Sequence, residues 1–464
     1  MIMKQLKTYP MKKYILYSLF IAQALQSSCN SFLEVDSPKT EVAAESAFSD
    51  AKTAEATVGG LYSSMNNYNN QFASGLMSIV LSSLADEYNS AFTTYDEYKA
   101  NNLSPATSYL DRLWSQPYSY INHSNKIIEG LETSALSAAV KAQLSAEARF
   151  TRVFNYFYLS NLFNKVPLIT DTKDLDANNQ KGPAPKEELY GFMIADLNKA
   201  VADISDTYQG NERTRPNKKA VEALLARIYL YHSEWANAEA MADKVIADKR
   251  YELSQDLNSV FLKTSKEAIW QLQTVNISTA GVNTWEGFSI VPTVTTGRSY
   301  YQVYDATLAR YESNDLRKVN WLKPYTVSDK TLYMPYKYKL RTGTPVTEYN
   351  TVLRLAEQYL IRAEARLNQN KLQAALADIN EIRKRAGLAA LPQHMAKAEI
   401  ALALEKERQL ELLGEWGHRW FDLVRTNRAV PVLSKIKADF TVSDQKIPIS
   451  TSILLTNTHL EQND

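Results

Sequence analysis

The sequence predicts a mainly α-helical protein: a superhelix of about four tetratricopeptide-like helix pairs with an inserted, loop-rich lobe containing short strands. Three observations carry this. From Lys218 to Arg250, apolar residues recur at the 3.6-residue period of a helix. Leu225, Ala226, Tyr229 and Leu230 mark one segment, Ala238, Ala242, Val245 and Ile246 the next, and Glu234-Trp235-Ala236-Asn237 the turn between them. The spacing of Ala226, Tyr229, Ala238, Ala242 and Val245 fits a repeat of about 34 residues in which small side chains let two helices cross closely. A second unit fits from Arg354 to Ala386, with Ala363, Ala375, Ile379 and Ile382 at the equivalent places. Between the two, Tyr251 to Thr351 is rich in Tyr, Thr, Trp and Pro and poor in helix formers, so loops and short strands are expected there.

Nearer the N-terminus, Met11, Lys12 and Lys13 precede an uncharged, largely apolar run, Tyr14 to Leu25, that ends in Ser27 and Ser28. This is the layout of a secretory signal over residues 1–28. The run would rise only about 18 Å as a helix, against a hydrocarbon core of about 30 Å, so removal rather than a permanent span is expected. Cys29 is the single cysteine and cannot form an internal disulfide. Its place directly after the leader is that of the acylated cysteine of bacterial lipoproteins, and lipidation there is expected. Gln26 departs from the leucine usual three positions before such a cysteine. Residues 29–50, polar and broken by Pro38, read as a tether arm.

Helical signals begin near Asp50, and further helices are expected around Ala142 to Phe163 and Lys186 to Ile204, separated by an irregular segment from Lys165 to Pro185. A smaller irregular stretch runs from Asp86 to Ser108. Residues 51–250 and 352–464 are thus the predicted scaffold and 251–351 the predicted lobe. Each repeat buries only part of its apolar face alone, which is why such units stack.

The 464 residues are 45% hydrophobic and 22% charged, enough for a large core. Lys plus Arg number 52 and Asp plus Glu 51, with no long basic block, which argues against nucleic acid as a partner. Tyr occurs 28 times and Trp 7, against 14 Phe, a bias toward rings with a polar handle that suits half-wet surfaces.

No nucleophile elbow, phosphate-cradling glycine loop or HExxH helix appears, and there is no second cysteine for a thiolate metal site. The five histidines, His123, His232, His394, His418 and His459, are scattered. Asp174, Asp176 and Asn178 are spaced like the start of a calcium loop, but Asn179 stands where the glycine belongs and Pro185 where the closing acid belongs. No catalytic residue, metal or cofactor is therefore predicted. The dense block Glu405 to Arg425 reads as structural: Glu405, Glu407 and Glu411 are expected to bridge with Arg408 along helix faces, and Trp416, Trp420 and Phe421 to dock as an apolar wedge.

Several blocks in order resemble the SusD/RagB family of outer-membrane nutrient-binding lipoproteins. They are Cys29 to Glu34, Glu147 to Thr170 (EARFTRVFNYFYLSNLFNKVPLIT), Arg213 to Tyr231 (RTRPNKKAVEALLARIYLY), RLAEQYLIRAEARL, INEIRKRAGL, Glu407 to Arg425, and the ending with Ile447-Pro448 and Gln462-Asn463. The resemblance implies helix pairs packed against a variable ligand-binding lobe and lipid anchoring in the outer membrane, facing outward. It also implies a partner, a SusC-like TonB-dependent transporter that receives oligosaccharide or, in some members, peptide.

A sugar ring has an apolar C–H face and a fringe of hydroxyls, so capture wants exposed aromatic platforms beside amides, carboxylates or guanidinium groups. Residues with that chemistry are Tyr88, Asn89, Phe92, Tyr95 and Tyr98 in the first irregular stretch, and Trp285, Tyr300 and Tyr301 in the second. Trp114 and Trp235 lie in helical settings and are assigned to packing, while Asp315 and Arg317 before Trp321 are expected to pair. Two other functions remain open: a tetratricopeptide-type envelope scaffold that binds no nutrient, and a glycoside hydrolase, which needs two carboxylates about 5 to 10 Å apart.

Overall fold

Asp50 starts the first helix, α1 (Ala51–Met65): its backbone is extended and its side chain accepts a hydrogen bond from the Thr53 amide at 3.0 Å. The computed structural model describes residues 46–275, 279–294 and 297–463. Cys29 and the arm as far as residue 45 lie outside the described residues. The main helices that follow are α2 (Met77–Leu84), α3 (Leu110–Thr133), α4 (Ala138–Phe163), α5 (Lys186–Asp203), α6 (Lys218–Tyr231), α7 (Trp235–Ile246), α8 (Leu355–Asn368), α9 (Leu372–Arg385), α10 (Lys397–Glu411) and α11 (His418–Arg425).

Helix packing follows chain order. Among the described residues α3 lies on α4, α4 on α5, α6 on α7 and α8 on α9, α1 crosses both α3 and α4, and α7 against α8 joins the last two pairs. The small residues of the repeat decide how closely these helices approach. Ala226, Ala238, Ala242, Ala363 and Ala375 are fully buried, and Val245, Ile379 and Ile382 fill the space beside them. The architecture is the mainly helical one expected from periodicity. Trp114 is buried with its ring edge-on to Phe163 at 5.0 Å, and Trp235 packs partly buried on the same core.

Among the described residues, three two-stranded antiparallel sheets accompany the helices: β1 (Tyr88–Ser90) with β3 (Tyr301–Val303), β2 (Ala268–Leu272) with β6 (Asn350–Arg354), and β4 (Leu322–Val327) with β5 (Lys330–Pro335). The β4–β5 hairpin turns through Ser328 and Asp329, both at positive φ, as a tight two-residue turn requires. β1 and β3 are far apart in sequence, yet their register sets Tyr88 opposite Val303 and Ser90 opposite Tyr301. That pairing joins the first irregular stretch to the lobe.

The acids of α10 do not pair with Arg408. Glu407 and Glu411 are buried, and a buried carboxylate needs a cation held against it by the fold. Glu411 meets Arg354 at 2.6 Å and also bonds Arg385; Glu407 meets Arg317 at 2.9 Å and Arg383 at 2.8 Å. Arg408 turns instead to Asp422 at 2.6 Å, and Glu405 to Arg428 at 2.7 Å. Asp315 and Arg317 pair at 2.8 Å, fully buried. Trp321 lies beneath this network, with the Lys337 ammonium 4.6 Å from its ring centre.

Asp174 caps the short helix Leu175–Asn179, accepting from the Ala177 amide at 2.9 Å. Among the described residues, no group of three or more His, Cys, Asp or Glu is placed to hold a metal ion, and no helix is long and apolar enough to cross a membrane.

Candidate functional site

A cleft of about 610 Å³ opens where Asn69 and Asn70, residues Phe92, Thr94, Tyr95 and Tyr109, residues 288–294 and 297–301, and Arg341 come together. The β1–β3 ladder produces the meeting. The Ala91 amide, just past β1, donates to the Tyr300 carbonyl at 2.7 Å, and Phe92 then stacks on the Tyr300 ring, with centroids 4.4 Å apart and planes at 28°. Phe92 keeps 39% of its surface exposed and Tyr300 53%. Behind them Tyr301 and Tyr95 are buried and line the inner wall, with Tyr95 stacked on Tyr109 at 6.0 Å. Burial raises the Tyr301 phenol to about 12 and Tyr95 further, so both stay protonated hydroxyls.

Four of the eight residues singled out from sequence therefore line one cleft: Phe92, Tyr95, Tyr300 and Tyr301. The other four lie elsewhere, Tyr88 and Asn89 by the strand period of β1, Tyr98 and Trp285 on the short helices Asp96–Ala100 and Trp285–Ile290. Tyr88 points into the core and Asn89 outward, opposite Gln302, at a separate shallow hollow. Tyr98 is buried, its hydroxyl donating to the Ser108 carbonyl. Trp285 is buried too, its indole N–H donating to the Asn66 carbonyl at 3.4 Å. These rings support the cleft wall from behind.

Other lining residues were not singled out from the sequence. Asn69 accepts from the Ser289 hydroxyl at 2.9 Å, and the Asn70 carbonyl accepts from Arg112 at 2.9 Å. Tyr109 adopts φ of +73°, unusual for a bulky side chain. Arg112 sits 5.2 Å over its ring. Arg341 lies 4.0 Å over Phe288 and donates to the Phe288 and Val291 carbonyls. The Asn-rich run at positions 66–70 was a visible turn signal. Arg341 carried none, because the fold alone brings it to the cleft. The assembled chemistry is aromatic faces, neutral amides and hydroxyls, and guanidinium groups.

A family model described as "SusD family" matches residues 297–463, and one described as "Starch-binding associating with outer membrane" matches residues 31–230. SusD-like protein P2 of Formosa agariphila is 26% identical, over 89% of this chain and 91% of its own length. A SusD-like protein of Bacteroides ovatus is 25% identical, over 73% and 69%. Among solved structures, a SusD superfamily protein from Bacteroides vulgatus superposes with a TM-score of 0.78 at 19% identity, covering 89% of this chain and 99% of its own. Surface glycan-binding protein A from Bacteroides thetaiotaomicron, solved in complex with laminarihexaose, gives 0.74 at 20%, with the same coverage. At these identities the superpositions speak to the fold. The family rests on the sequence matches, and the two family models, which between them take in residues 31–230 and 297–463, lead to one conclusion: the chain belongs to the SusD family.

Proposed function

We propose that this protein captures oligosaccharide in the cleft and passes it on without breaking bonds. The single observation that carries the reading is the Phe92–Tyr300 stack, two rings held exposed at the cleft beside amides and hydroxyls. An exposed ring matches the C–H face of a pyranose, and amides match its hydroxyl fringe. The laminarihexaose complex of surface glycan-binding protein A supports a glycan as cargo, with peptide as the lesser alternative. Among the described residues no Asp or Glu lines the cleft, so a carboxylate pair for glycoside hydrolysis has no place there.

The proposal extends to the cell surface. Cys29 carries a lipid that holds the protein to the outer membrane facing outward, residues 29–50 form the tether, and a SusC-like TonB-dependent transporter receives the cargo. The lobe at 251–351 and the stretch from Asn69 to Tyr109 share the cleft, while the rest of 51–250 and 352–464 acts as scaffold. Titration calorimetry against a panel of glycans and peptides tests capture. Saturable binding to a glycan is expected, and silence across the panel would contradict it.

One observation favours an envelope scaffold as the second reading. Among the described residues of 251–351, Tyr300 is the single exposed aromatic, and Trp270, Trp285, Trp321 and Tyr338 are buried. A scaffold predicts that silence in the panel, together with co-purification of an envelope protein.

A further inference from the structure

The cleft is electrically one-sided. Arg298 and Arg341 line it and, among the described residues, no carboxylate does, although basic and acidic residues in the chain number 52 and 51. Elsewhere most guanidinium groups meet a carboxylate, Arg213 excepted, which bonds the main-chain carbonyls of Lys266, Ala268 and Arg250. Arg227 meets Glu357 at 2.6 Å, Arg354 meets Glu411 at 2.6 Å, and Arg419 meets Asp86 at 2.7 Å. The cleft arginines break that pattern. Arg341 bonds only main-chain carbonyls, and Arg112, at the edge, bonds the Asn70 carbonyl and covers Tyr109. Arg298 is exposed and, among the described residues, has no ion-pair or hydrogen-bond partner. Its charge acts on Tyr325, where burial raises the phenol and Arg298 offsets part of the rise.

A guanidinium group offers a flat fork of donors that fits a carboxylate or a sulfate. Several of them in a concave site without counter-charges attract an anion from solution. Neutral sugars satisfy amides and hydroxyls equally well and give no use to an unpaired cation beside the aromatic platform. We infer that the cleft selects acidic glycans, bearing uronic carboxylates or sulfate esters, and that Arg298 is the specificity-determining contact, with Arg341 as the second. This rests on the glycan-capture reading and adds the class of cargo.

The test is titration calorimetry of the intact protein with three probes of similar length: laminarihexaose as a neutral glucan, an oligogalacturonate, and a sulfated galactan oligosaccharide. Each is run at about 0.02 M and about 0.5 M salt, because a charge contribution is screened at the higher strength. At low salt at least one acidic probe is expected to bind about tenfold more tightly than laminarihexaose or better, and salt should shrink the difference. Arg298→Ala should remove the preference and Arg298→Lys keep part of it, with circular dichroism unchanged. Which acidic probe binds separates carboxylate from sulfate. Laminarihexaose binding as tightly as both acidic probes would overturn the inference and leave glycan capture standing. So would an acidic preference that survives both Arg298→Ala and Arg298→Ala/Arg341→Gln. Silence from all three probes and from the wider glycan panel would remove glycan capture and this inference with it.

Discussion

The guanidinium of Arg354 reaches Glu411 at 2.6 Å and Glu267 at 2.8 Å, all three side chains buried. Arg354 ends β6, Glu267 directly precedes β2, and Glu411 ends α10, so this contact ties the lobe to the helical scaffold. Glu411→Gln would leave Arg354, Arg385 and Arg317 short of an anion. Urea unfolding should show a loss of about 3–5 kcal/mol. Burial alone would raise the Glu411 pKa, but Arg385, Arg354 and Arg317 outweigh it and hold the carboxyl below its ordinary range. The stability it contributes is present above the unfolded value of about 4.5 and falls away as the solution is acidified below it.

Alkaline pH should act on a different pair. Burial raises Glu87 and Glu286 from 4.5 to about 8, and Glu87 Oε1 has no hydrogen-bond partner. The folded state thus favours their protonated form. Their contribution is complete below about 4.5 and is lost as pH rises through about 8. The loss should be on the order of 2 kcal/mol per group, well under the full linkage value. Tm measured from about pH 6 to about pH 9 should fall, and Glu286→Gln should flatten the slope. A slope identical in the variant would refute the assignment.

The repeat interface has no spare room at Ala242, which is fully buried on α7. Ala242→Leu should cost about 1–3 kcal/mol by overpacking, read from denaturant midpoints. An unchanged midpoint would mean the helices do not cross there as described.

Gly414 sits at φ of +70°, and a Cβ on it would fall 1.6 Å from the Tyr88 hydroxyl oxygen. Gly414→Ala should lower Tm and, by moving β1, weaken ligand binding at Phe92 as well. Gly191 is the control: it lies within α5, a Cβ on it would meet nothing within 4 Å, and Gly191→Ala should gain about 0.5–1 kcal/mol.

Much of the scaffold was legible because helix crossing leaves a local trace. Ala226, Ala238, Ala242 and Ala375 recur at fixed spacings and are the residues buried at the crossings. The roles of Glu407 and Glu411 were less legible, since an acid on a helix has intrahelical and tertiary partners alike and burial chooses between them. The cleft was half legible. Aromatic composition pointed to both segments, but which ring faces out depends on a β1–β3 register between residues far apart in sequence. Tyr88 fell behind the wall for that reason, and Trp285 because it opens the short helix Trp285–Ile290 with its ring buried. Arg341 and the left-handed Tyr109 leave no mark in composition or periodicity.

The exposed aromatic stack is the centre of the account, and one titration tests it most directly. The glycan that binds the intact protein most tightly is titrated into Phe92→Ala/Tyr300→Ala, with folding checked by circular dichroism. Affinity should fall about tenfold or more, on the order of 1.4 kcal/mol, with the fold intact. A folded double variant that binds the same glycan as tightly as the intact protein would contradict the account.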